Sequence, residues 1–138
     1  KLAEAGMDFS YHNHDHEFQK MADGRTWLAA IYEDISPDLL KAEIDTYWIQ
    51  SGGGSPERWL QKVAGRMPII HFKDMAFRDK KQVFAEIGEG NLDWPAIIQA
   101  AADGGCQYAF VEQDNCYGGD PFEALATSYR NLKAMGLS

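Results

Sequence analysis

The segment Tyr11–Phe18 reads Tyr-His-Asn-His-Asp-His-Glu-Phe, and it holds three of the chain's four histidines, His12, His14 and His16. Imidazole is the commonest metal ligand and the one side chain that titrates near neutrality unperturbed. The apolar stretch Met7–Tyr11 leads into the cluster. On a regular strand, alternation would set His12, His14 and His16 on one face and Tyr11, Asn13 and Asp15 on the other. A solvated strand end would explain the histidines alone. It would not explain the further ligand-type residues downstream: Asp45, His71 in Ile-Ile-His-Phe-Lys-Asp, and Glu112 in Phe-Val-Glu-Gln-Asp. Brought together, such groups form a mixed nitrogen and oxygen site suited to a divalent transition metal.

The elements that must position them follow one rhythm. Lys1–Gly6 reads as a helix end closed by glycine. Met7–His14 is the first expected strand, followed by a polar loop with Asp23-Gly24 and a short helix over Thr26–Tyr32. Ser36-Pro37-Asp38 carries the N-cap and first-turn proline of a helix start. Lys41–Tyr47 is the second strand. After the Gly52-Gly53-Gly54 turn, Ser55 starts a helix over Pro56–Ala64 that stops at Gly65. Met67–Phe72, apolar along its length, is the third strand and is expected to be buried on both faces.

Asp74–Glu86 and Ile87–Asp93 read as a long loop. Asp93 caps a helix through about Ala102 that ends at Gly104-Gly105. Tyr108–Glu112 is the fourth strand. Asp120-Pro121-Phe122-Glu123 approaches a capping box, and its helix runs to about Met135 and stops at Gly136. Four alternations of strand and helix imply parallel βα units, an α/β class fold. Joined by right-handed crossovers they make half of a (β/α)8 TIM barrel, with a ligand-type residue at the end of every strand, on the face where such barrels keep their active sites. An open flavodoxin-like sheet is the alternative, disfavoured because no glycine-rich fingerprint follows the first strand. No repeat, linker or low-complexity segment interrupts the pattern.

At 138 residues the chain fits one domain, and a 45% hydrophobic content supports a core. The net charge is −8, from 21 acidic and 13 basic residues. Nothing basic is concentrated enough for nucleic acid. The acidic balance suits a cation or a neutral small molecule, and mostly favours solubility. Cys106 and Cys116 form no C-x-x-C pair, which fits a reduced, cytoplasmic protein. No apolar run approaches the ~20 residues of a membrane span, and no signal-peptide pattern is present. The chain begins at Lys1 with what reads as the tail of a helix, so a longer protein is expected.

Five segments together carry a family resemblance: Tyr11–Asp15, Asp45–Trp48 (Asp-Thr-Tyr-Trp), His71–Asp74 (His-Phe-Lys-Asp), Glu86–Trp94 (Glu-Ile-Gly-Glu-Gly-Asn-Leu-Asp-Trp) and Val111–Asp114 (Val-Glu-Gln-Asp). Their order and spacing resemble the xylose isomerase-like TIM barrel superfamily, and within it the sugar phosphate isomerase/epimerase branch. The resemblance spans nearly the whole chain. It implies that residues 1–138 are the C-terminal half of a barrel, strands five to eight.

It also implies a manganese, zinc, magnesium or cobalt ion held by Glu, Asp, His and Glu in order. The last three fall on Asp45, His71 and Glu112. The first position departs from the pattern: His12 stands there, with His14 the next choice. Glu17 supplies a second carboxylate only if its loop folds back.

The implied reaction is isomerisation or epimerisation of a sugar, sugar phosphate or polyol. The metal would bind a carbonyl and the neighbouring hydroxyl and stabilise an enediolate, with Glu112 as base. A dehydratase acting on a keto-cyclitol or keto-sugar is the runner-up, and a non-catalytic barrel fragment the reading from another class. Lys73 polarises a substrate oxygen or pairs with a barrel carboxylate. Asp74 serves the substrate site, orients His71 or Lys73, or caps the following loop. Trp48 with Tyr47 stacks on a sugar or packs at the rim. Glu86, Gly88 and Gly90 form a turn, and Trp27, Trp59 and Trp94 belong to the core. A half-barrel leaves its outer strands unpaired, so the isolated chain is expected to self-associate and to lack substrate contacts supplied by the other half.

Overall fold

The computed structural model describes residues 1–137. In chain order these form β1 (Ser10–His12), α1 (Trp27–Asp34), β2 (Lys41–Asp45), α2 (Thr46–Ser51), α3 (Pro56–Lys62), β3 (Ile69–Phe72), β4 (Asp74–Arg78), β5 (Lys81–Ala85), α4 (Trp94–Asp103), β6 (Tyr108–Val111) and α5 (Pro121–Ala134). Strands β1, β2, β3 and β6 lie side by side in that order, all parallel. The chain is therefore an α/β protein of four parallel βα units. Each helix starts where a short polar side chain accepts an otherwise unpaired amide: Thr26 from Ala29, Asp45 from Trp48, Ser55 from Arg58, Asp93 from Ala96 and Asp120 from Phe122.

Period-two alternation sorts the strand residues. Ala42, Ile44, Ile70 and Phe72 are buried against the helices, where they meet Leu28, Leu60, Ile97 and Leu132. The opposite face carries Glu43 and Asp45 on β2 and Ile69 and His71 on β3, and register pairs His12 with Glu43 and Asp45 with His71. The third strand is thus apolar and buried on one face only; Ile69 and His71 are half-buried. Trp94 is in the core and Trp59 packs against it, but Trp27 is exposed, because α1 turns Leu28, Ala29 and Tyr32 inward instead.

Several elements depart from the sequence expectation. β1 ends at His12 because Asn13 turns inward, where its Oδ1 accepts the Asp45 amide at 3.0 Å; a short 3-10 turn over His16–Phe18 follows. The three histidines therefore share no strand face. Ser36 begins only a turn, closed by Leu39 and Leu40 amides on its carbonyl, since β2 starts at Lys41. The end of the expected second strand is instead the start of α2. The expected loop after Asp74 is an antiparallel hairpin, β4 with β5, turned through Asp79 and Lys80 at positive φ. That is the two-residue geometry usually signalled by Asn-Gly, which this sequence lacks.

Asp74 anchors the segment after the hairpin. It is fully buried, and its carboxylate accepts the amides of Met75 (2.7 Å), Gly88 (2.8 Å), Gly90 (3.1 Å) and Leu92 (3.4 Å) and the Trp94 indole N–H (2.6 Å). Gly90 passes so close that a Cβ there would collide with the Asp74 carboxylate. Removing the acceptor strands several buried donors, each costing about 1–3 kcal/mol. Asp74→Ala is expected to lower unfolding free energy by at least about 3 kcal/mol, and Asp74→Asn by less, since one acceptor oxygen remains. Denaturant titration checks both.

Candidate functional site

His12 is the last residue of β1 and Asp45 the last of β2; His71 lies near the end of β3, and Glu112 directly follows β6. The Glu112 amide donates to the Phe72 carbonyl at 3.1 Å, which extends the ladder by one residue and sets the side chain beside His71. Thr46 ties β2 to β3: its hydroxyl donates to the Lys73 carbonyl (2.8 Å) and accepts the Lys73 amide (3.0 Å). One ligand-type atom from each of His12, Asp45, His71 and Glu112 lies within 4.8 Å of all the others.

The donor set fits a divalent ion. Asp45 Oδ1 accepts the Trp48 amide (3.1 Å), but Oδ2 is buried with no hydrogen-bond partner among the described residues. It stands 3.7 Å from His12 Nε2 and 3.4 Å from Lys73 Nζ. A buried carboxylate oxygen left without a proton to accept, next to two imidazoles and a second carboxylate, is where a cation would relieve the mismatch. Burial pushes the Asp45 carboxyl up to about 6, opposed by the Lys73 charge. Burial, with the neighbouring His71, lowers the His12 pKa.

Lys73 is buried, 2% exposed, with Nζ 2.8 Å from Asp114 Oδ1, 3.0 Å from Glu112 Oε2 and 3.4 Å from Asp45 Oδ2. It lies over the rings of Trp48 and Phe84. Burial alone would depress its pKa, but Asp114, Asp45 and Glu112 more than offset this and raise it. Lys73 is therefore a protonated counter-ion to three carboxylates. For Glu112 burial works upward too, but hydrogen bonds from His71 and Lys73 hold its pKa below the ordinary value.

Other sequence candidates are placed differently. Glu17 does fold back, but onto its own loop: its carboxylate accepts the Tyr11 hydroxyl (2.8 Å) and the His14 amide (3.0 Å), and it is 3% exposed. It is thus no free second carboxylate. Burial and this bond push the Tyr11 hydroxyl up to about 12. Asp74, with its oxygens committed to the chain around it, lies under the site and offers nothing to a substrate. His14 is exposed, its ring 5.1 Å from His12 and 5.2 Å from Trp48, whereas His16 stacks outside it. Tyr47 is buried against Phe84 of β5, so the hairpin completes an aromatic wall with Trp48.

Sequence reading passed over Glu43, Thr46 and Asp114. Glu43 stands two residues before Asp45 and shares its strand face, a signal that alternation alone could have supplied. Asp114 and Thr46 lie outside the strands, where no periodicity marks them.

A family model described as xylose isomerase-like TIM barrel matches residues 1–135. Among solved structures, a sugar phosphate isomerase/epimerase from Parabacteroides distasonis superposes with a TM-score of 0.81 at 24% identity, over 97% of this chain and 47% of that one. A xylose isomerase domain protein from Planctomyces limnophilus gives 0.70 at 20% identity, over 96% and 46%. An L-ribulose 3-epimerase gives 0.60 at 15% identity, over 98% and 52%. The chain spans about half the length of these proteins. No curated protein matches it.

Asp45 must lose its proton to hold a cation, and its carboxyl sits at about 6. Apparent affinity for Mn²⁺ or Co²⁺ is therefore expected to rise about tenfold per pH unit below that value and to flatten above about pH 7. Calorimetric titration from pH 5 to 8 checks this.

Proposed function

Because this chain belongs to the xylose isomerase-like TIM barrel family, we propose that it carries the metal-binding half of a sugar isomerase or epimerase, strands five to eight of the complete barrel. One observation carries the reading: the four ligand-type atoms from four successive parallel strands that lie within 4.8 Å of one another. The sugar-isomerising relatives that share the fold support it.

A divalent ion held by His12, Asp45, His71 and Glu112 would supply Lewis-acid polarisation of a sugar carbonyl, making the adjacent C–H more acidic. Glu112 then accepts the proton from the hydroxyl-bearing carbon and delivers it to the neighbouring, former carbonyl carbon, so that the substrate passes through an enediolate. Its side chain is 41% exposed, so it can reach a substrate, while Lys73 and His71 hold Oε2 at 3.0 Å each. Those contacts keep it ionised near neutrality, the state a base needs. Trp48 and His14 offer ring faces to the apolar side of a sugar. Lys73 holds Glu112 in position and takes no proton itself.

The free edges of β1 and β6, each paired on one side only among the described residues, support self-association of the chain alone. An apolar cavity of about 620 Å³ runs beside β6, lined in part by Phe72, Tyr108, Phe110 and Tyr129. Cys106 and Cys116 are both unpaired, which supports a reducing, cytoplasmic setting. No helix among the described residues is long and apolar enough to cross a membrane.

Glu112→Gln tests the chemistry, because the amide keeps a ligand oxygen but cannot take the proton. In the completed barrel it is expected to retain most bound metal and to lose solvent deuterium incorporation into a ketose. Near-normal exchange would remove Glu112 as the base, and loss of water from the substrate would point to a dehydratase. Light scattering on the chain alone is expected to give species larger than a monomer; a monodisperse monomer with cooperative melting would refute the open-edge reading.

A further inference from the structure

We propose that Phe84, on the β4–β5 hairpin, is part of the wall that receives the sugar, and that Tyr117 is a positioning residue that holds it there. The inference rests on the sugar-isomerase reading above but concerns other residues and a separate observable. Phe84 packs on Tyr47, with ring centroids 4.4 Å apart, and its ring stands 6.1 Å from that of Trp48. The Lys73 ammonium is 5.4 Å from the Phe84 ring and 5.3 Å from the Trp48 ring. The same ammonium lies 3.0 Å from Glu112 Oε2 and 3.4 Å from Asp45 Oδ2. The two rings therefore border the carboxylates of the site from the hairpin side.

Phe84 is fixed by a contact from another part of the chain. Among the described residues β5 pairs with β4 alone, so its outer edge has backbone groups left over. The Phe84 amide finds its acceptor in the Tyr117 hydroxyl, at 3.0 Å. Tyr117 belongs to the segment after β6, and it reaches the hairpin from a backbone conformation that a tyrosine rarely adopts, φ 50°. Glycine would adopt it at lower cost, and Gly118 and Gly119 stand next in the chain. Asn115 steadies the turn, its Oδ1 accepting the Tyr117 amide at 2.7 Å. Strained residues persist where their surroundings over-determine them, and they gather at ligand sites. The hydrogen bond to β5 is what a tyrosine gains at this position and a glycine could not.

The segment Glu112–Tyr117 thus carries three linked contacts. Glu112 and Asp114 hold the Lys73 ammonium, and Tyr117 holds the backbone of Phe84. One short stretch of chain sets both the proposed base and the aromatic wall. The surface that receives a sugar and the group that takes its proton therefore keep a fixed spacing. Small-ligand sites combine aromatic walls with a few placed polar groups, and the C–H face of a sugar suits such rings. A wall contact acts on ground state and transition state alike, so losing it raises KM more than it lowers kcat.

The test uses the complete barrel supplied with Mn²⁺, with D-fructose as the neutral ketose probe and solvent deuterium incorporation as the assay. Phe84→Ala is expected to raise KM by about tenfold or more while kcat falls less, and Phe84→Tyr to recover most of that loss. Tyr117→Phe keeps the ring and removes the acceptor. It should raise KM in the same direction and speed hydrogen exchange of the Phe84 amide about fivefold, the effect of one hydrogen bond. Mn²⁺ affinity, read by chelator-dye competition, should be unchanged in every variant. An unchanged KM in Phe84→Ala, or a parallel loss of Mn²⁺ affinity, would overturn the wall, and unchanged exchange in Tyr117→Phe would overturn the role of Tyr117. If Phe84→Ala fails to fold, the KM of Tyr117→Phe decides. Absence of labelling in the unaltered barrel would count against the sugar reading instead, while exchange at the Phe84 amide still judges Tyr117.

Discussion

Parallel register is the constraint on which the site depends. Pairing Asp45 with His71 and His12 with Glu43 brings four side chains from three strands to one end of the sheet, and Glu112 joins when the β3–β6 ladder runs one residue past β6. A slip of one residue would turn each of these groups towards the helices and put Ile44 and Ile70 in their place. The apolar face prevents such a slip, because Ala42, Ile44, Ile70 and Phe72 are buried against the helices. Packing on one face thus enforces the chemistry on the other.

The site also concentrates charge that water would otherwise screen. Asp45, Glu112 and Asp114 surround the buried ammonium of Lys73. One positive charge does not balance these carboxylates, and at Asp45 one buried oxygen is unpartnered among the described residues while burial pushes the carboxyl up to about 6. Such a cluster is costly without a cation and favourable with one. Lys73 keeps the arrangement together while leaving the His12, Asp45, His71 and Glu112 atoms grouped on one side.

Rigidity comes from beneath. Asp74 gathers backbone amides from both sides of the hairpin and the Trp94 indole, and Asn13 and Thr46 stitch β1 to β2 and β2 to β3 at their ends. None of these groups faces a ligand. They hold the strand ends at fixed spacing, as a site built from four separate elements requires.

Much was legible in the residues alone. Apolar runs, caps such as Ser55-Pro56 and Asp120-Pro121, and glycine stops carry local information, and local physics decides a helix start wherever it occurs. The βα rhythm and the ligand-type residues at strand ends followed from that information. The sequence misled where long-range contacts overrode local preference. Asn13 left the strand to meet the Asp45 amide, so three closely spaced histidines did not share a face and only His12 entered the cluster. The hairpin turned on Asp79 and Lys80, residues with no strong turn signature. Glu17 and Asp74 looked chemical, yet each is consumed by nearby amides. Residue types and their spacing determined which groups could bind a cation. Only tertiary structure decided which of them face one another, because that depends on pairings between residues tens of positions apart, each ending where a buried polar group finds its partner.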